Sequence, residues 1–128
     1  MILNNRVKIF LAIASFMIAL AISLGAFGAH GLKAILDEYM LKIYHTGVEY
    51  HFYNTLGLFV ASFIYALKPD SKKIYIAIWL IIIGMCIFSF SLYLLAVLSM
   101  PILGAITPIG GSLLIIAWLT LTYGILKD

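Results

Sequence analysis

Four long apolar runs constrain what this chain can fold into. Short segments that hold most of the charged residues separate them, and 65% of the chain is hydrophobic whereas only 10% is charged. Soluble domains carry roughly 25% charged residues, so a soluble fold would leave apolar surface in water. A surface that faces lipid needs no charge. We therefore predict an all-α membrane protein, a four-transmembrane-helix bundle that forms a single membrane domain over residues 1–128.

Each apolar run is close to the roughly 20 residues that a helix needs to cross the hydrocarbon core. The predicted spans cover residues 7–29, 46–67, 74–99 and 107–126. The first span resembles a secretory signal, but its apolar run from Ile9 to Phe27 exceeds the roughly 7–15 residues of such a segment. We therefore expect this span to be retained.

A row of small residues runs along one side of the first span. Ala21, Gly25 and Ala29 recur every four residues, a spacing that lets two helix backbones approach closely in lipid. This pattern favours helix packing within one subunit over a dimer interface. A homo-oligomer is the alternative.

The segment over residues 32–44 has a different character. Its apolar residues follow the i, i+3, i+4 spacing of one helical face. Lys33 with Asp37 and Glu38 with Lys42 are pairs of opposite charge at i, i+4. Such pairs stabilise a helix, but the segment is too short and too charged to cross a membrane. We predict a short amphipathic interfacial helix that lies among the lipid headgroups between spans one and two.

Two predicted spans begin with capping signals. Thr46-x-x-Glu49 matches the capping box, in which both side chains satisfy free backbone N–H groups, and predicts that the second span starts at Thr46. Thr107 followed by Pro108 predicts the N-cap and first residue of the fourth span. Trp118 would lie near mid-depth in that span, where its indole N–H needs a hydrogen-bond partner.

The basic residues predict an orientation. Six of them lie at the N-terminus, in the second loop or at the C-terminus: Arg6, Lys8, Lys68, Lys72, Lys73 and Lys127. Only Lys33 and Lys42 lie on the other side, where acidic residues offset them. The positive-inside rule then places both termini in the cytoplasm, in agreement with an even number of spans. The net charge of +3 is scattered over helix ends, and we expect no nucleic-acid partner.

Four short motifs together resemble a known family. They are Gly25-Ala26-Phe27-Gly28-Ala29-His30, Thr46-Gly47-Val48-Glu49-Tyr50, Phe88-Ser89 with Ser91-Leu92-Tyr93, and Thr107-Pro108-Ile109-Gly110-Gly111. The chain is similar to the small membrane proteins of the YgdD type, the domain of unknown function 423. The resemblance implies a four-helix, multi-pass protein of the bacterial cytoplasmic (inner) membrane whose biochemical role is not established. Its implied partner is the lipid bilayer.

The features at the outer ends of the spans should converge on one membrane face. The residues predicted to form a polar pocket there are His30, Glu49, Tyr50, His51, Asn54, Thr107, Gly110 and Gly111. An ionisable residue at membrane depth is a candidate for function. Two interpretations of Glu49 are open. It either caps its helix and pairs with His45, or it faces His30 inside a pocket roofed by the amphipathic helix.

Catalysis and metal binding have little support in the sequence. No serine, cysteine or aspartate lies in a recognisable nucleophile motif. No two of the three histidines have the i, i+4 spacing of a helical zinc pair. We therefore expect no enzyme activity, no cofactor and no metal site.

Two function classes remain for this membrane protein. The first is a structural, assembly or interaction role that uses the helix faces and the surface helix. The second is an oligomeric carrier or channel for a small ion, lipid or amphiphile, with a bound lipid in the outer pocket. The few hydroxyl groups in the spans can bond to their own helices, which favours the first class.

Overall fold

The computed structural model describes residues 3–128, which contain four α-helices and no β-strand. The helices are α1 (Asn5–His30), α2 (Glu38–Leu67), α3 (Lys72–Leu98) and α4 (Leu103–Lys127), with one 3-10 turn at Leu32–Ala34. Helices joined by short connections pack as antiparallel neighbours. The all-helical fold class is confirmed.

Local sequence explains where the helices begin and end. Asn4, Asp37 and Ser71 cap α1, α2 and α3, and each side-chain oxygen accepts a hydrogen bond from the backbone N–H three residues later. These residue types are favoured N-caps because their side-chain oxygen accepts from a backbone N–H of the first turn that has no partner within the helix. Ser99 ends α3 in the left-handed conformation, with φ 53°. Pro101 follows Ser99 by two residues and lies just before α4.

The structure does not form a separate amphipathic helix over residues 32–44, and this prediction is corrected. After the short 3-10 turn, α2 begins at Glu38 and runs without a break past Thr46. The Thr46 hydroxyl donates to the carbonyl of Lys42 at 3.1 Å inside the helix. Asp37 is the actual N-cap, because its carboxylate accepts from the backbone N–H of Met40 in the first turn. The helix then continues without a break to Leu67. The capping-box start of the second span is therefore wrong.

The fourth helix also begins earlier than predicted. Because α4 starts at Leu103, Thr107 is not its N-cap and Pro108 lies inside the helix. The Thr107 hydroxyl donates to the Leu103 carbonyl at 3.2 Å and lies 2.6 Å from the Ser91 hydroxyl. Pro108 has no N–H to donate to the carbonyl four residues earlier, so α4 lacks one backbone hydrogen bond in its second turn.

Three stretches of the described chain are long and apolar enough to cross a membrane. They are Asn5–Ala34, which is α1 with the turn that follows it, Lys72–Leu98 and Leu103–Lys127. The longest helix, α2, contains more polar side chains and is not among them. The three apolar helices agree with a membrane protein.

Side chains from all four helices fill the core, and α3 is the most buried of the apolar helices. Phe10 of α1, Leu58 of α2 and Ile78 of α3 are among the side chains that are fully buried there. A smaller cluster of Leu32, Tyr44, Val48, Tyr93 and Ala96 lies beside the turn between α1 and α2. Tyr44 and Tyr93 of this second cluster contact glycines of two of the sequence motifs.

Candidate functional site

The motif near the end of α1 is built around Tyr44 of α2. A Cβ atom added to Gly28 would lie 2.8 Å from Cδ1 of Tyr44 and closer still to Cε1, so a larger residue would displace that ring. The Tyr44 hydroxyl donates to the backbone carbonyl of Leu24 at 2.5 Å. Gly28 therefore provides the space that lets Tyr44 hold α1 and α2 together.

A second glycine brings α2 against α3. A Cβ atom on Gly47 would lie 2.9 Å from the Tyr93 ring and 3.2 Å from the backbone carbonyl oxygen of Ser89. The rings of Tyr44 and Tyr93 also pack against each other, with centroids 5.1 Å apart. Because Gly47 has no side chain, the Tyr93 ring of α3 can approach α2 and pack beside Tyr44, which in turn contacts α1. The two tyrosines form an aromatic layer between these three helices.

His51 lies beneath this layer with no exposed surface. Its Nδ1 atom is 2.8 Å from the Tyr93 hydroxyl, and the Phe90 ring packs at 5.7 Å between centroids. None of the described carboxylates pairs with His51, and an unpaired buried charge is costly. The imidazole is therefore neutral. Nδ1 and the Tyr93 hydroxyl share one hydrogen bond, whereas Nε2 has no hydrogen-bond partner within residues 3–128.

Two buried side-chain atoms lack a hydrogen-bond partner within residues 3–128: His51 Nε2 and Ser89 Oγ. Among the buried serine and threonine residues inside the helices, Thr55, Ser62 and Ser91 donate their hydroxyls to carbonyls of their own helix. Ser89 is the exception. Both atoms without a partner, His51 Nε2 of α2 and Ser89 Oγ of α3, therefore belong to the two helices that pack against each other here.

The last motif holds α4 against α3. A Cβ atom on Gly110 would lie 2.8 Å from the Cα atom of Phe88 and 3.0 Å from the carbonyl oxygen of Gly84. The same atom on Gly111 would lie 3.6 Å from the Phe88 ring, an ordinary contact. The α3 and α4 backbones thus approach most closely at Gly110, and the Ser91–Thr107 hydroxyl pair lies nearby.

A lateral groove of about 700 Å³ lies between α2 and α4. Its lining is Tyr50, Tyr53, Asn54, Phe88, Gly111, Leu114, Ile115, Trp118 and Leu119. The Trp118 indole N–H donates to Asn54 Oδ1 at 3.0 Å, which gives the indole the partner that we predicted. The Asn54 amide in turn donates to the Tyr50 carbonyl at 2.8 Å. The groove is therefore aromatic and apolar, with its one amide already paired.

The structure divides the predicted pocket residues among several places. The groove contains Tyr50, Asn54 and Gly111, the core contains His51, and the α3–α4 contact contains Thr107 and Gly110. His30 and Glu49 are exposed, and no hydrogen bond or ion pair of the described chain joins them. Glu49 also makes no ion pair with His45 and, well inside α2, cannot be its cap.

The small residues of α1 face α2 in part. Ala21 is buried, and a Cβ atom on Gly25 would meet Val48 of α2 at 3.4 Å, whereas Ala29 is exposed. Two of the three positions thus lie on the side of α1 that packs within the chain.

Two tyrosines of this site, Tyr44 and Tyr93, have no place in the predicted pocket. The sequence contains one signal that could have found them. A glycine in a helix leaves space for a large aromatic ring of a neighbouring helix, and the motifs contain such glycines. The sequence alone does not say which glycine receives which ring, since Gly28 and Gly47 are far from their partners along the chain.

At the other end of the bundle, the α2–α3 loop and the end of α4 form a basic cavity of about 590 Å³. Its lining is Leu67, Lys68, Pro69, Asp70, Ser71, Lys72, Lys73 and Asp128. The Asp128 carboxylate accepts from the Ser71 hydroxyl and pairs with Lys73 at 3.0 Å. The Ser71 hydroxyl and the Lys73 ammonium group together hold the pKa of this carboxyl below its usual range.

Comparison with known proteins places these contacts in a family. The family described as "Protein of unknown function (DUF423)" matches residues 24–111, a stretch that contains every glycine–aromatic and hydroxyl contact between motifs described above. UPF0382 membrane protein YwdK of Bacillus subtilis is 42% identical over 120 residues, which cover 94% of this chain and 98% of the relative. A UPF0382 membrane protein of Haemophilus influenzae is 35% identical over 127 residues, which cover 98% of both chains. No solved structure matches the chain. The motifs, the family match and these relatives agree, and the chain belongs to the DUF423 family, in which these relatives are membrane proteins.

Proposed function

We propose that the chain crosses the bacterial cytoplasmic membrane four times, with α2 as the fourth span and both termini in the cytoplasm. We further propose a structural or interaction role and no conduction or catalysis. The observation that carries this role is that the polar side chains inside the bundle are buried and that most of their polar atoms already have a hydrogen-bond partner. The next paragraphs give the support for each part.

The distribution of side chains on α2 supports a fourth span. Its polar residues His51, Asn54, Thr55 and Ser62 are buried. The exposed positions Leu56, Val60, Phe63 and Leu67 form an apolar stripe in which each side chain is 52–58% exposed. A helix of a soluble protein buries such an apolar stripe against its core, whereas a helix in a membrane can expose it to lipid. The 30 residues of α2 extend about 45 Å, more than the ~30 Å hydrocarbon core, so its charged first turns can lie among the headgroups.

Cysteine labelling tests the four spans and their orientation. In a Cys86→Ala background, we expect Asp70→Cys to be labelled from the cytoplasm, and Met100→Cys and Ile35→Cys to be labelled from outside intact cells. All three native residues are exposed, and Ile35 and Met100 lie at the end opposite to Asp70 if α2 crosses. The measurement is labelling by a membrane-impermeant maleimide before and after lysis. Labelling of Ile35→Cys and Met100→Cys from opposite sides would show that α2 does not cross.

Pairing inside the bundle supports a role without conduction. His51 bonds to Tyr93, Asn54 accepts from Trp118, and Thr55 donates both to its own helix and to the Met85 sulfur at 3.2 Å. A conducting path needs polar groups that water or an ion can reach. The two side-chain atoms without a partner within residues 3–128, His51 Nε2 and Ser89 Oγ, belong to residues with no exposed surface, so the interior offers no such path.

A second candidate function is the binding or transfer of a lipid, and one observation favours it. The lateral groove has an aromatic lining, and its rim residues Tyr53, Ile115 and Leu119 are 60–65% exposed on the surface that we assign to lipid. The occupant would be an acyl chain of the surrounding bilayer. Such a chain needs only apolar contact, which the groove offers.

Proteoliposomes distinguish the two candidates. With purified protein in sealed vesicles, we expect proton and potassium flux to equal that of protein-free vesicles, because the interior polar groups are buried away from water. We expect the same equality for the transfer of a fluorescent phospholipid between leaflets. Ion flux above the protein-free level would contradict the structural role. Lipid transfer without ion flux would favour the second candidate, and Trp118→Ala should then abolish it.

A further inference from the structure

Six of the eight Lys and Arg residues lie at one end of the bundle, here called the basic end: Arg6, Lys8, Lys68, Lys72, Lys73 and Lys127. Contacts across the helices bring these segments together. The Arg6 guanidinium donates to the Tyr65 hydroxyl at 3.2 Å, and Lys68 donates to the Ile125 carbonyl at 3.0 Å. Lys68, Lys72 and Lys73 line the cavity described above, and the other three cations lie at the same end of the bundle.

This cavity already holds an anion of its own chain. The Asp128 carboxylate accepts from the Ser71 hydroxyl and from Lys73, one on each oxygen atom. A hydroxyl and an ammonium group that converge on two oxygens are also suitable donors for a phosphate. The lining contains three lysines and two aspartates, and the other three cations of the basic end add to the positive field that an additional anion would meet.

The surroundings of the cavity indicate a lipid as the source of that anion. Its wall residue Leu67 is 58% exposed, and Leu126, beside Asp128, is 77% exposed. Both belong to apolar helix surface that would contact acyl chains. A ligand with a charged head and an apolar tail could satisfy both kinds of surface at once, whereas a free anion would contact only the cations.

We propose that the basic cavity binds the phosphate headgroup of an anionic phospholipid. The headgroup takes the Ser71 hydroxyl and Lys73, which hold the Asp128 carboxylate in the unliganded chain, and Lys68 and Lys72 add positive charge. Lys72 forms no hydrogen bond or ion pair through its side chain within residues 3–128 and can turn toward the ligand. The Asp128 carboxylate must leave, so this residue competes with the lipid.

Native mass spectrometry of the full chain in neutral detergent tests this site. We expect phosphatidylglycerol to bind more tightly than phosphatidylcholine with the same acyl chains. Lys68→Gln/Lys72→Gln should weaken phosphatidylglycerol binding on the order of tenfold, because each lysine near an anionic lipid contributes severalfold. The matched control is Lys33→Gln/Lys42→Gln, which removes two lysines from the opposite end and should leave the affinity unchanged. If the first double variant unfolds, Lys72→Gln alone should weaken binding about threefold, since that side chain is exposed.

Asp128→Asn tests the competition. The change removes the resident negative charge but keeps a side chain of similar size, so phosphatidylglycerol affinity should rise severalfold. Equal binding of the two lipids, or equal losses in the two lysine double variants, would overturn the site. Displacement of phosphatidylglycerol by millimolar inorganic phosphate would assign the cavity to free anions and overturn the lipid assignment. Unchanged affinity in Asp128→Asn would overturn the role of the carboxylate.

Discussion

Gly110→Ala is expected to lower the free energy of unfolding by about 3 kcal/mol, the upper part of the usual range for overpacking a close contact. The new Cβ atom would lie 2.8 Å from the Phe88 Cα and 3.0 Å from the Gly84 carbonyl oxygen. These are backbone atoms of α3, so relief requires α4 to move away from α3 along much of its length. Alanine gains about 1 kcal/mol in helix propensity, which is not enough to offset the displacement.

Gly111→Ala is the matched control, one residue further along the same helix. Its Cβ atom would lie 3.6 Å from the Phe88 ring, an ordinary van der Waals distance. We expect a change between zero and about 1 kcal/mol of stabilisation, from helix propensity alone. Both variants are measured by unfolding in mixed micelles of increasing denaturing detergent, followed by circular dichroism. Equal stabilities of the two variants would contradict the α3–α4 contact at Gly110.

Much of the fold could be predicted from this sequence because lipid imposes a simple rule. Uncharged runs such as residues 74–99 must be helices of membrane length, and the structure places α3 over nearly the same residues. The boundary between residues 32–44 and the second span could not be predicted as easily. Asp37 and Thr46 are both good caps, and the choice depends on whether the chain stays helical between them, which the amphipathic pattern itself favours.

The candidate site could be predicted less well, for a different physical reason. Burial depends on partners from distant parts of the chain, and residues such as Glu49 and His51 look equally polar in the sequence. The structure exposes Glu49 and buries His51 completely, because only His51 lies on the side of α2 that meets Tyr93. The need of Trp118 for a partner follows from its own chemistry and could be predicted, although Asn54 could not be named as that partner.

Removal of the buried hydrogen bond between His51 and Tyr93 is the second change with a large expected effect. Tyr93→Phe keeps the ring but leaves the Nδ1 atom of a fully buried imidazole without its 2.8 Å partner. We expect a loss of about 2 kcal/mol, within the ~1–3 kcal/mol cost of an unsatisfied buried group. His51→Leu should cost a similar amount, because it leaves the Tyr93 hydroxyl unpaired.

The double variant separates the hydrogen bond from the packing. Polar pairs inside membrane proteins show coupling energies of about 0.6 kcal/mol on average and at most about 1.7 kcal/mol. Because both residues are buried, we expect a value near the upper limit, measured in the same mixed micelles. Tyr44→Phe is the control, because its hydroxyl donates to the Leu24 carbonyl and not to His51. Its coupling to His51→Leu should stay below ~0.5 kcal/mol. Additive losses in Tyr93→Phe and His51→Leu would mean that the two side chains contribute only by packing and not through their hydrogen bond.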